Sequence, residues 1–404
     1  MKQWMAGAAG FLAAVSCAYG AGATLTVTHG LDAARPGAVI AVPFSELAAV
    51  APGLRMFHVV VRDARGRALP LQITNYEHDH RGASYDDLVF WYDFAAGEKR
   101  ATFTVESVAA ATLPDLPCAY ARLVPERHDD VAWENDRIAH RMYGMALNSA
   151  AAGSERLRGS GIDVWAKRVA YPVIDRWYAK GHDQFHKDAE GEGLDLYSIG
   201  GSRGAGGTGV WDGSKLWTSD NFTQARVLSN GPRRAAFTLQ YAPFEAGAVG
   251  PVSELKQVTA DCGRNLDRLE STFGFAGDEA VIGIGITEHP AADGYPPGVL
   301  TQDKQGRWMS YWEDNANGGL GVAVILGYGE KPAGFAYEPP TKKPGNGNHL
   351  LLVRAKKGMP VRYLAGAGWT GSGQFADRAA WEAYVRDQAA RALKPFTVSV
   401  SAAP

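Results

Sequence analysis

Residues 133–144 combine aromatic, amide and guanidinium side chains at a spacing that suits sugar binding. If this run is one β-strand, alternate side chains point to opposite faces. One face would then hold Trp133, Asn135, Arg137, Arg141 and Tyr143. An aromatic ring stacks on the apolar side of a pyranose, amides bond hydroxyl groups, and arginine binds a carboxylate through two parallel hydrogen bonds. We therefore expect these residues to bind an acidic sugar; a solvated face with Arg–Asp pairs is the alternative.

A second candidate segment covers residues 178–209, where many glycines alternate with ionisable side chains. It contains His186 and Glu192 and ends in the glycine-rich stretch around Arg203. This composition is typical of an irregular loop, and loops on a rigid β-scaffold often carry sites. Histidine is the natural acid or base near neutral pH. We expect catalytic and binding groups here; a mobile surface loop is the alternative.

Three stretches of this segment match known sequence motifs but lack the features that those motifs require. Residues 200–204 fit G-x-S-x-G and residues 204–209 fit G-x-G-x-x-G, but both motifs need a following helix, and none is predicted. The two histidines of residues 182–186 have zinc-protease spacing, but Asp replaces the required Glu and the preceding glycine argues against a helix. We expect no metal at these histidines, while calcium at the acidic residues 188–195 stays an alternative.

Three short clusters also suit the edge of a sugar cleft: Trp312 with Glu313, Glu288 with His289, and Trp369 near the C-terminus. Aromatic rings and carboxylates are common in saccharide sites. Each cluster could equally be core aromatics beside a turn. We expect Trp312, Glu313 and Trp369 to contact the substrate.

The strand patterns around these segments predict a mainly β protein. Short alternating runs separated by Gly and Pro predict a small β-sandwich over residues 24–108. Residues 109–130 lack periodicity and are predicted to be a linker. Residues 131–404 carry many longer strand patterns, which favour a large antiparallel sandwich or barrel. A late helix is predicted after Asp377, because Trp381 and later apolar residues follow helical spacing.

The N-terminus predicts export. Residues 1–23 follow the charged, apolar and small-residue order of a secretory signal, and the apolar run is too short to span a membrane. We expect a periplasmic or extracellular location, with lipid anchoring through Cys17 as the alternative. No later segment reads as a transmembrane span. Cys118 and Cys262 either pair in an oxidising compartment or remain free thiols. With 41 basic and 43 acidic residues and no basic run, nucleic acid is not an expected partner.

Residues 133–144, 186–195 and 202–208 together resemble the bacterial exported family filed as domain of unknown function 4861. The resemblance covers nearly all of the mature chain. It implies a role in polysaccharide breakdown, often beside enzymes for uronic-acid polymers, and a β-supersandwich like that of galactose-mutarotase-like proteins and several polysaccharide lyases. The family pattern has an aromatic residue where this chain has His140 and a Cys where it has Ala205. These departures weaken His140 as a catalyst and argue against a thiol mechanism.

We expect elimination on a uronate-containing saccharide, by a lyase or a dehydratase. Such a reaction needs donors that stabilise an enediolate, a base, and an acid for the leaving group. Arg203 and Arg137 would hold the carboxylate, and His186 would be the base. Tyr143 or Tyr197 would be the acid.

Three other functions stay open. A glycoside hydrolase would use two carboxylates from the set Glu192, Asp195, Glu288 and Glu313. A mutarotase is a second alternative. A sugar-binding or scaffold protein is a third, and it would lose nothing when His186 is replaced.

Overall fold

The computed structural model describes residues 22–75, 86–110, 117–341 and 345–403. Residues 1–21, which hold most of the predicted signal and Cys17, lie outside the described residues. About half of the described residues belong to antiparallel strands and far fewer to helices, so the mainly β fold is confirmed. The strands are β1 (Ala23–Thr28), β2 (Arg35–Pro43), β3 (Val59–Asp63), β4 (Leu71–Asn75), β5 (Asp86–Phe94), β6 (Arg100–Ser107), β7 (Tyr120–Val124), β8 (Asp130–Glu134), β9 (Ile138–Met142), β10 (Asp163–Lys167), β11 (Gly193–Asp195), β12 (Ala205–Trp211), β13 (Leu216–Trp217), β14 (Gln224–Asn230), β15 (Arg234–Glu245), β16 (Pro251–Asp261), β17 (Leu266–Gly274), β18 (Glu279–Glu288), β19 (Val299–Asp303), β20 (Trp308–Asn315), β21 (Gly318–Leu326), β22 (Pro332–Glu338), β23 (Gly347–Lys356), β24 (Pro360–Trp369) and β25 (Thr397–Ala402).

The N-terminal strands form a two-layer sandwich. One sheet has the order β25-β1-β6-β3 and the other the order β2-β5-β4. Alternating residues such as Leu25, Ile40 and Phe103 are buried between them. The boundary differs from the predicted one, because β25 pairs with β1 along its whole length. The last strand of the chain therefore belongs to this module and not to the large domain predicted over residues 131–404.

The large domain contains three sheets that share one core. An eight-stranded sheet runs β14-β15-β16-β17-β24-β21-β20-β19, and two five-stranded sheets run β13-β12-β18-β23-β22 and β11-β10-β9-β8-β7. In β18, Ile282, Ile284 and Ile286 alternate with smaller residues and are fully buried. Their side chains join those of the other sheets in a single apolar cluster. This packing fixes the strand ends from which the candidate site is built.

Among the residues that the structure describes, four α-helices accompany the strands: α1 (Phe44–Val50), α2 (Ile174–Lys180), α3 (His182–Phe185) and α4 (Arg378–Ala392). The predicted late helix is α4, and the Asp377 carboxylate caps it by accepting a hydrogen bond from the Ala380 N–H at 2.9 Å. Trp381 and Val385 bury the helix against the eight-stranded sheet. Among the described residues, no helix has the length and apolar character needed to cross a membrane.

Two local predictions need correction. The region predicted as a linker contains β7, which pairs with β8; only residues 111–116 of it lie outside the described residues. Residues 133–144 form a hairpin and not one strand, because the Asn135 side chain accepts hydrogen bonds from the N–H groups of Arg137 and Ile138 and closes a turn. The expected alternation of faces therefore ends at Asn135.

The two cysteines that the sequence left open form a disulfide. Cys118 and Cys262 have Cα atoms 5.9 Å apart and lie 144 residues apart in sequence. The bond ties the chain just before β7 to the turn between β16 and β17. It therefore joins two of the three sheets of the large domain covalently.

Candidate functional site

The candidate site follows residues 195–204, which leave β11 and reach β12. Polar side chains from several parts of the fold hydrogen-bond the main chain of this segment. They are His186 on the Asp195 carbonyl (3.1 Å), His289 on the Ser198 carbonyl (2.8 Å), Asn346 on the Ser198 carbonyl (2.9 Å), and Asn348, which accepts from the Arg203 N–H (2.8 Å). The segment is thus held on both sides without being a regular strand.

His289 and Glu313 line a cavity of about 130 Å³ beside this segment. The His289 Nδ1 lies 3.0 Å from Oε2 of Glu313, and its Nε2 lies 2.8 Å from the Ser198 carbonyl oxygen. Both partners are acceptors, so the imidazole satisfies them together when both of its nitrogens carry protons. Burial alone lowers the pKa of His289, but the hydrogen bond and charge of Glu313 raise it above its ordinary value. The pair is therefore best described as imidazolium and carboxylate.

Glu288, Tyr337 and His349 form a second acid–base group near the first. The Tyr337 phenol is hydrogen-bonded to Glu288, and burial together with this bond raises its pKa to about 12, so it stays protonated near neutral pH. The His349 Nε2 lies 3.8 Å from Oε1 of Glu288, which is too long for a hydrogen bond. Burial lowers the pKa of His349, so its imidazole is neutral.

Tyr311 connects the two groups. Its ring centroid lies 5.0 Å from that of His349. Burial raises the pKa of Tyr311 first, and the charges of Glu288 and Glu313 raise it further. Both carboxylates are therefore within electrostatic reach of one phenol, although they come from the ends of strands in different sheets.

A larger cavity of about 480 Å³ lies on the other side of the segment. Its wall includes Lys215, Glu338, Asn346 and Asn348. The Lys215 ammonium lies 3.7 Å from the centre of the Trp217 ring. Neighbouring residues of the same segment, Ser198 and Ile199, line the small and the larger cavity respectively.

The first group of predicted sugar-binding residues does not form a binding face. Trp133 is 1 % exposed and donates its indole N–H to Asp267 at 2.7 Å. The Asn135 side chain closes the hairpin turn with its oxygen, and its amide N–H groups donate to the carbonyls of Asp261 and Arg264. Arg137 is partly exposed at this turn, and its Nε lies 3.5 Å from Asp136. The structure thus separates these three side chains, and none of them lines either cavity of the candidate site.

Arg141 and Tyr143 lie in a buried cluster of ionisable groups. The Arg141 guanidinium is 2.7 Å from Asp163, 3.6 Å from Asp195 and 3.9 Å from Asp130. Burial raises the pKa of Asp130 to about 7 and also raises those of Asp163 and Asp195, although Arg141 opposes the change. Burial likewise raises the pKa of Tyr143. Arg141 therefore neutralises interior carboxylates and is not available to a substrate.

The candidate residues of the segment 178–209 differ in their exposure to solvent. His186 is about 40 % exposed and lies 3.6 Å from the buried Asp195 carboxylate, so it forms the solvent end of the buried cluster. Tyr197 is fully buried behind His289, and burial raises its pKa strongly. Glu192 accepts hydrogen bonds from Tyr171, Arg176, Trp177 and Lys180. These contacts make Tyr197 and Glu192 structural.

The acidic residues considered for calcium are engaged by basic side chains. Asp188 is 2.7 Å from Arg168, and Glu190 is 2.7 Å from Lys180. The sequence also argued against a helix at residues 182–186, but α3 begins directly after Gly181. A glycine at the residue before the first turn is compatible with a helix start, which explains the difference.

Arg203 helps to line the larger cavity, but it is 1 % exposed and its guanidinium is engaged by other protein groups. Its guanidinium donates to Ser160 Oγ (3.0 Å), to the Gly201 carbonyl (2.8 Å) and to the Thr208 carbonyl (3.3 Å). Burial lowers its pKa to about 10, which still leaves it cationic near neutral pH. Its side chain lies across Gly285, where an added Cβ would collide with it. Arg203 therefore holds the glycine-rich stretch together.

The candidate residues of the C-terminal part, Trp312, Glu313 and Trp369, also differ in whether they reach a cavity. Trp312 is buried and donates to Asp314 at 3.1 Å, and Trp369 is buried and donates to the Asn317 carbonyl at 2.9 Å. Glu313 lies on the opposite face of β20 from Trp312 and reaches the cavity. Of the predicted substrate-contacting residues in this region, Glu313 is the one that the structure places in the site.

Sequence reasoning missed Tyr337 and His349 as parts of this site. Tyr311 and His289 were noticed only as members of short clusters, and Glu288 was also a candidate carboxylate for hydrolysis. A carboxylate beside a histidine at the end of a strand was a usable signal. The pairing of β18 with β23, which brings His349 alongside Ile286, could not be read from spacing alone.

The family model described as "Domain of unknown function (DUF4861)" matches residues 27–398. The chain belongs to this family. A relative from Formosa agariphila, called "Uncharacterized protein P7", is 31% identical over 385 residues, which cover 93% of each protein. The family resemblance noted from residues 133–144 and the later stretches is thereby confirmed.

Two solved structures from Enterococcus faecalis are similar at low level. One is a protein in glycosyl hydrolase family 38 (TM-score 0.47) and the other an alpha-mannosidase (TM-score 0.46), each at 10% sequence identity. Both cover 94% of this chain, while the chain spans about half the length of either structure, 47% and 46%. Neither likeness is close enough to assign an activity.

Replacing Arg203 by Lys should lower the free energy of unfolding. Lysine keeps the charge but cannot bond three separated acceptors, so we expect a loss of about 2–4 kcal/mol in the free energy of unfolding. Urea denaturation of both proteins measures it. Arg137→Lys at the exposed turn is the matched control and should change stability by less than about 0.5 kcal/mol. Equal stability of Arg203→Lys and the parent protein would remove Arg203 from this structural role.

Replacing Asp130 by Asn should reduce the loss of stability that accompanies rising pH. The pKa of Asp130 rises from 3.8 to about 7 on folding. Between these values the folded chain keeps a proton that the unfolded chain has lost, so its contribution to stability is lost as pH rises through about 7.

The Asp130→Asn chain should therefore gain stability relative to the parent as pH rises, by about 1.4 kcal/mol per unit of pKa shift. Denaturation across this pH range measures the difference. Asp220→Asn, at an exposed ion pair with Arg158, should follow the parent. A parallel pH dependence in Asp130→Asn and the parent would contradict the raised pKa.

Proposed function

We propose that this chain is a carbohydrate-active enzyme that cleaves glycosidic bonds by hydrolysis at a cleft made of the small cavity, which His289 and Glu313 line, and the adjoining residue Glu288. The observation that supports this most strongly is the pair of partly exposed carboxylates that act on the same Tyr311 phenol. Glycoside hydrolysis needs two carboxyl groups on either side of the scissile bond. The sealed cluster around Arg141 offers more carboxylates but no opening for a sugar.

The two carboxylates have different neighbours, which suggests different roles. Glu313 accepts a hydrogen bond from the His289 imidazolium at 3.0 Å, so we assign Glu313 as the base or nucleophile. Glu288 lies beside the protonated Tyr337 phenol, so we assign this pair to proton donation toward the leaving oxygen. Two carboxyl groups with different neighbours can take the two different roles that glycoside hydrolysis requires.

We propose an acidic saccharide as the substrate. The small cavity contains Glu313 and Asp314 and disfavours a negatively charged sugar at the reacting position. The larger cavity is lined by the cations of Lys215 and Arg203 and by the carboxylate of Glu338. A uronate residue is therefore better accommodated in the larger cavity than at the reacting position.

Elimination is a second candidate, because Glu288 and Tyr337 also form a base and acid pair. Glu288 would remove the proton next to a uronate carboxylate, Tyr337 would protonate the leaving oxygen, and the His289 cation would stabilise the enediolate. This route needs the uronate in the small cavity. The charge of that cavity makes hydrolysis the first choice.

We also propose that the protein acts in the periplasm or outside the cell. The disulfide between Cys118 and Cys262 supports this location, since disulfides persist in oxidising compartments. The proposed substrate, a polymer or its fragments, would be met there.

Glu313→Gln and Glu288→Gln should each lower the rate of saccharide cleavage about 10²–10⁴-fold. Both changes keep the shape of the side chain and remove its charge. Mass spectrometry of acidic oligosaccharides measures the products, since hydrolysis adds one water per bond. Elimination adds none and leaves a conjugated alkene that absorbs ultraviolet light.

Glu126→Gln, at an exposed ion pair with Arg122, is the matched control and should leave the rate unchanged. Thermal melts separate loss of chemistry from loss of fold. Full activity in folded Glu313→Gln and Glu288→Gln proteins would contradict the assignment.

A further inference from the structure

A third cavity, of about 290 Å³, lies where the N-terminal module, the eight-stranded sheet and α4 meet. No residue that lines it belongs to the cleft of Glu288 and Glu313 or to the larger cavity beside it. Its wall contains five arginines and a single carboxylate, that of Asp261. The arginines are Arg35, Arg234, Arg264, Arg268 and Arg391.

Two of the five arginines have a carboxylate at hydrogen-bond distance. Arg234 lies 2.7 Å from Asp261, and Arg391 lies 2.8 Å from Asp387. Both carboxylates are thereby engaged in pairs that hold the wall of the cavity. They leave the other three guanidiniums without full compensation.

Arg35 and Arg264 contact main-chain carbonyls. Arg35 donates to the Lys394 carbonyl at 2.7 Å and stacks 3.8 Å from the Phe396 ring centre, while Arg264 donates to the Gly37 carbonyl. In the part of the chain that the structure describes, no carboxylate lies within ion-pair distance of either guanidinium. Burial lowers the pKa of Arg35 to about 10, and the charges of Arg391 and Arg264 contribute to this.

Arg268 adds a donor without a partner. Its buried Nε has no hydrogen-bond acceptor among the described residues, and the nearest carboxylate oxygen, of Glu270, is 3.7 Å away. Like charges in a partly buried cavity repel one another, and an unpaired buried donor is costly. An anion with several oxygen acceptors would remove both costs at once.

We propose that this cavity binds an oxyanion, such as the carboxylate or sulfate group of an acidic saccharide or a free phosphate. Guanidinium groups bind such oxygens through paired, charge-assisted hydrogen bonds. The cavity has room for a monosaccharide-sized group. The site is independent of the proposed catalytic cleft and would also tie the N-terminal module to the large domain when occupied.

Isothermal titration calorimetry with sodium glucuronate, sodium sulfate and sodium phosphate tests the proposal, with sodium chloride holding ionic strength constant. Saturable binding of at least one oxyanion is expected. Preference for glucuronate identifies a sugar carboxylate as the ligand group, and preference for sulfate or phosphate identifies a tetrahedral oxyanion. Absence of saturable binding by all three would overturn the proposal.

Arg264→Gln and Arg268→Gln should each weaken binding about tenfold or more, because each removes charge-assisted hydrogen bonds. Arg386→Gln is the matched control: it lies on α4 outside the cavity, pairs with Glu382, and should bind as the parent does. Melts without ligand report any loss of the contact between Arg264 and Gly37. Unchanged affinity in both cavity variants would place the anion elsewhere and refute the assignment.

Discussion

The ion pair between Arg141 and Asp163 is the contact on which the site region depends. It lies between neighbouring strands β9 and β10, and the same guanidinium reaches Asp195 at the end of β11. Burial is the main cause of the raised pKa values of Asp130, Asp163 and Asp195, and a neighbouring carboxylate raises the pKa values of Asp130 and Asp163 further. Partial protonation of the carboxylates and the positive charge of the guanidinium together reduce the energetic cost of burying these groups. The segment that leaves Asp195 begins from this anchored point.

After Asp195, side chains from other parts of the fold hold the main chain of residues 195–204 in place. His289 and Asn346 both bond the Ser198 carbonyl, and Arg203 bonds the Gly201 carbonyl from below. A segment held in this way needs no regular hydrogen-bond ladder, so it can separate two cavities. The acid–base groups then arrive from the ends of β18, β20, β22 and β23, whose positions the shared core fixes.

The fold could largely be read from the sequence, while the site could be read only in part. Alternating burial in β6 and β16 and the Asp377 cap are local signals, and local signals survive into the structure. The residue types around Trp133 and Arg203 did suit a sugar site. These residues are instead buried, because their aromatic and guanidinium groups bond to polar groups in the interior. Whether a polar side chain faces a core or a cleft depends on strand pairing across long sequence distances, as between Ile286 and His349.

A crystal structure of the Glu313→Gln protein with a bound acidic oligosaccharide tests the central assignment most directly. The account predicts a glycosidic oxygen between the side chains at positions 288 and 313, with an acidic group of the saccharide toward Lys215. A saccharide bound against His186, with the small cavity beside His289 left unoccupied, would contradict it.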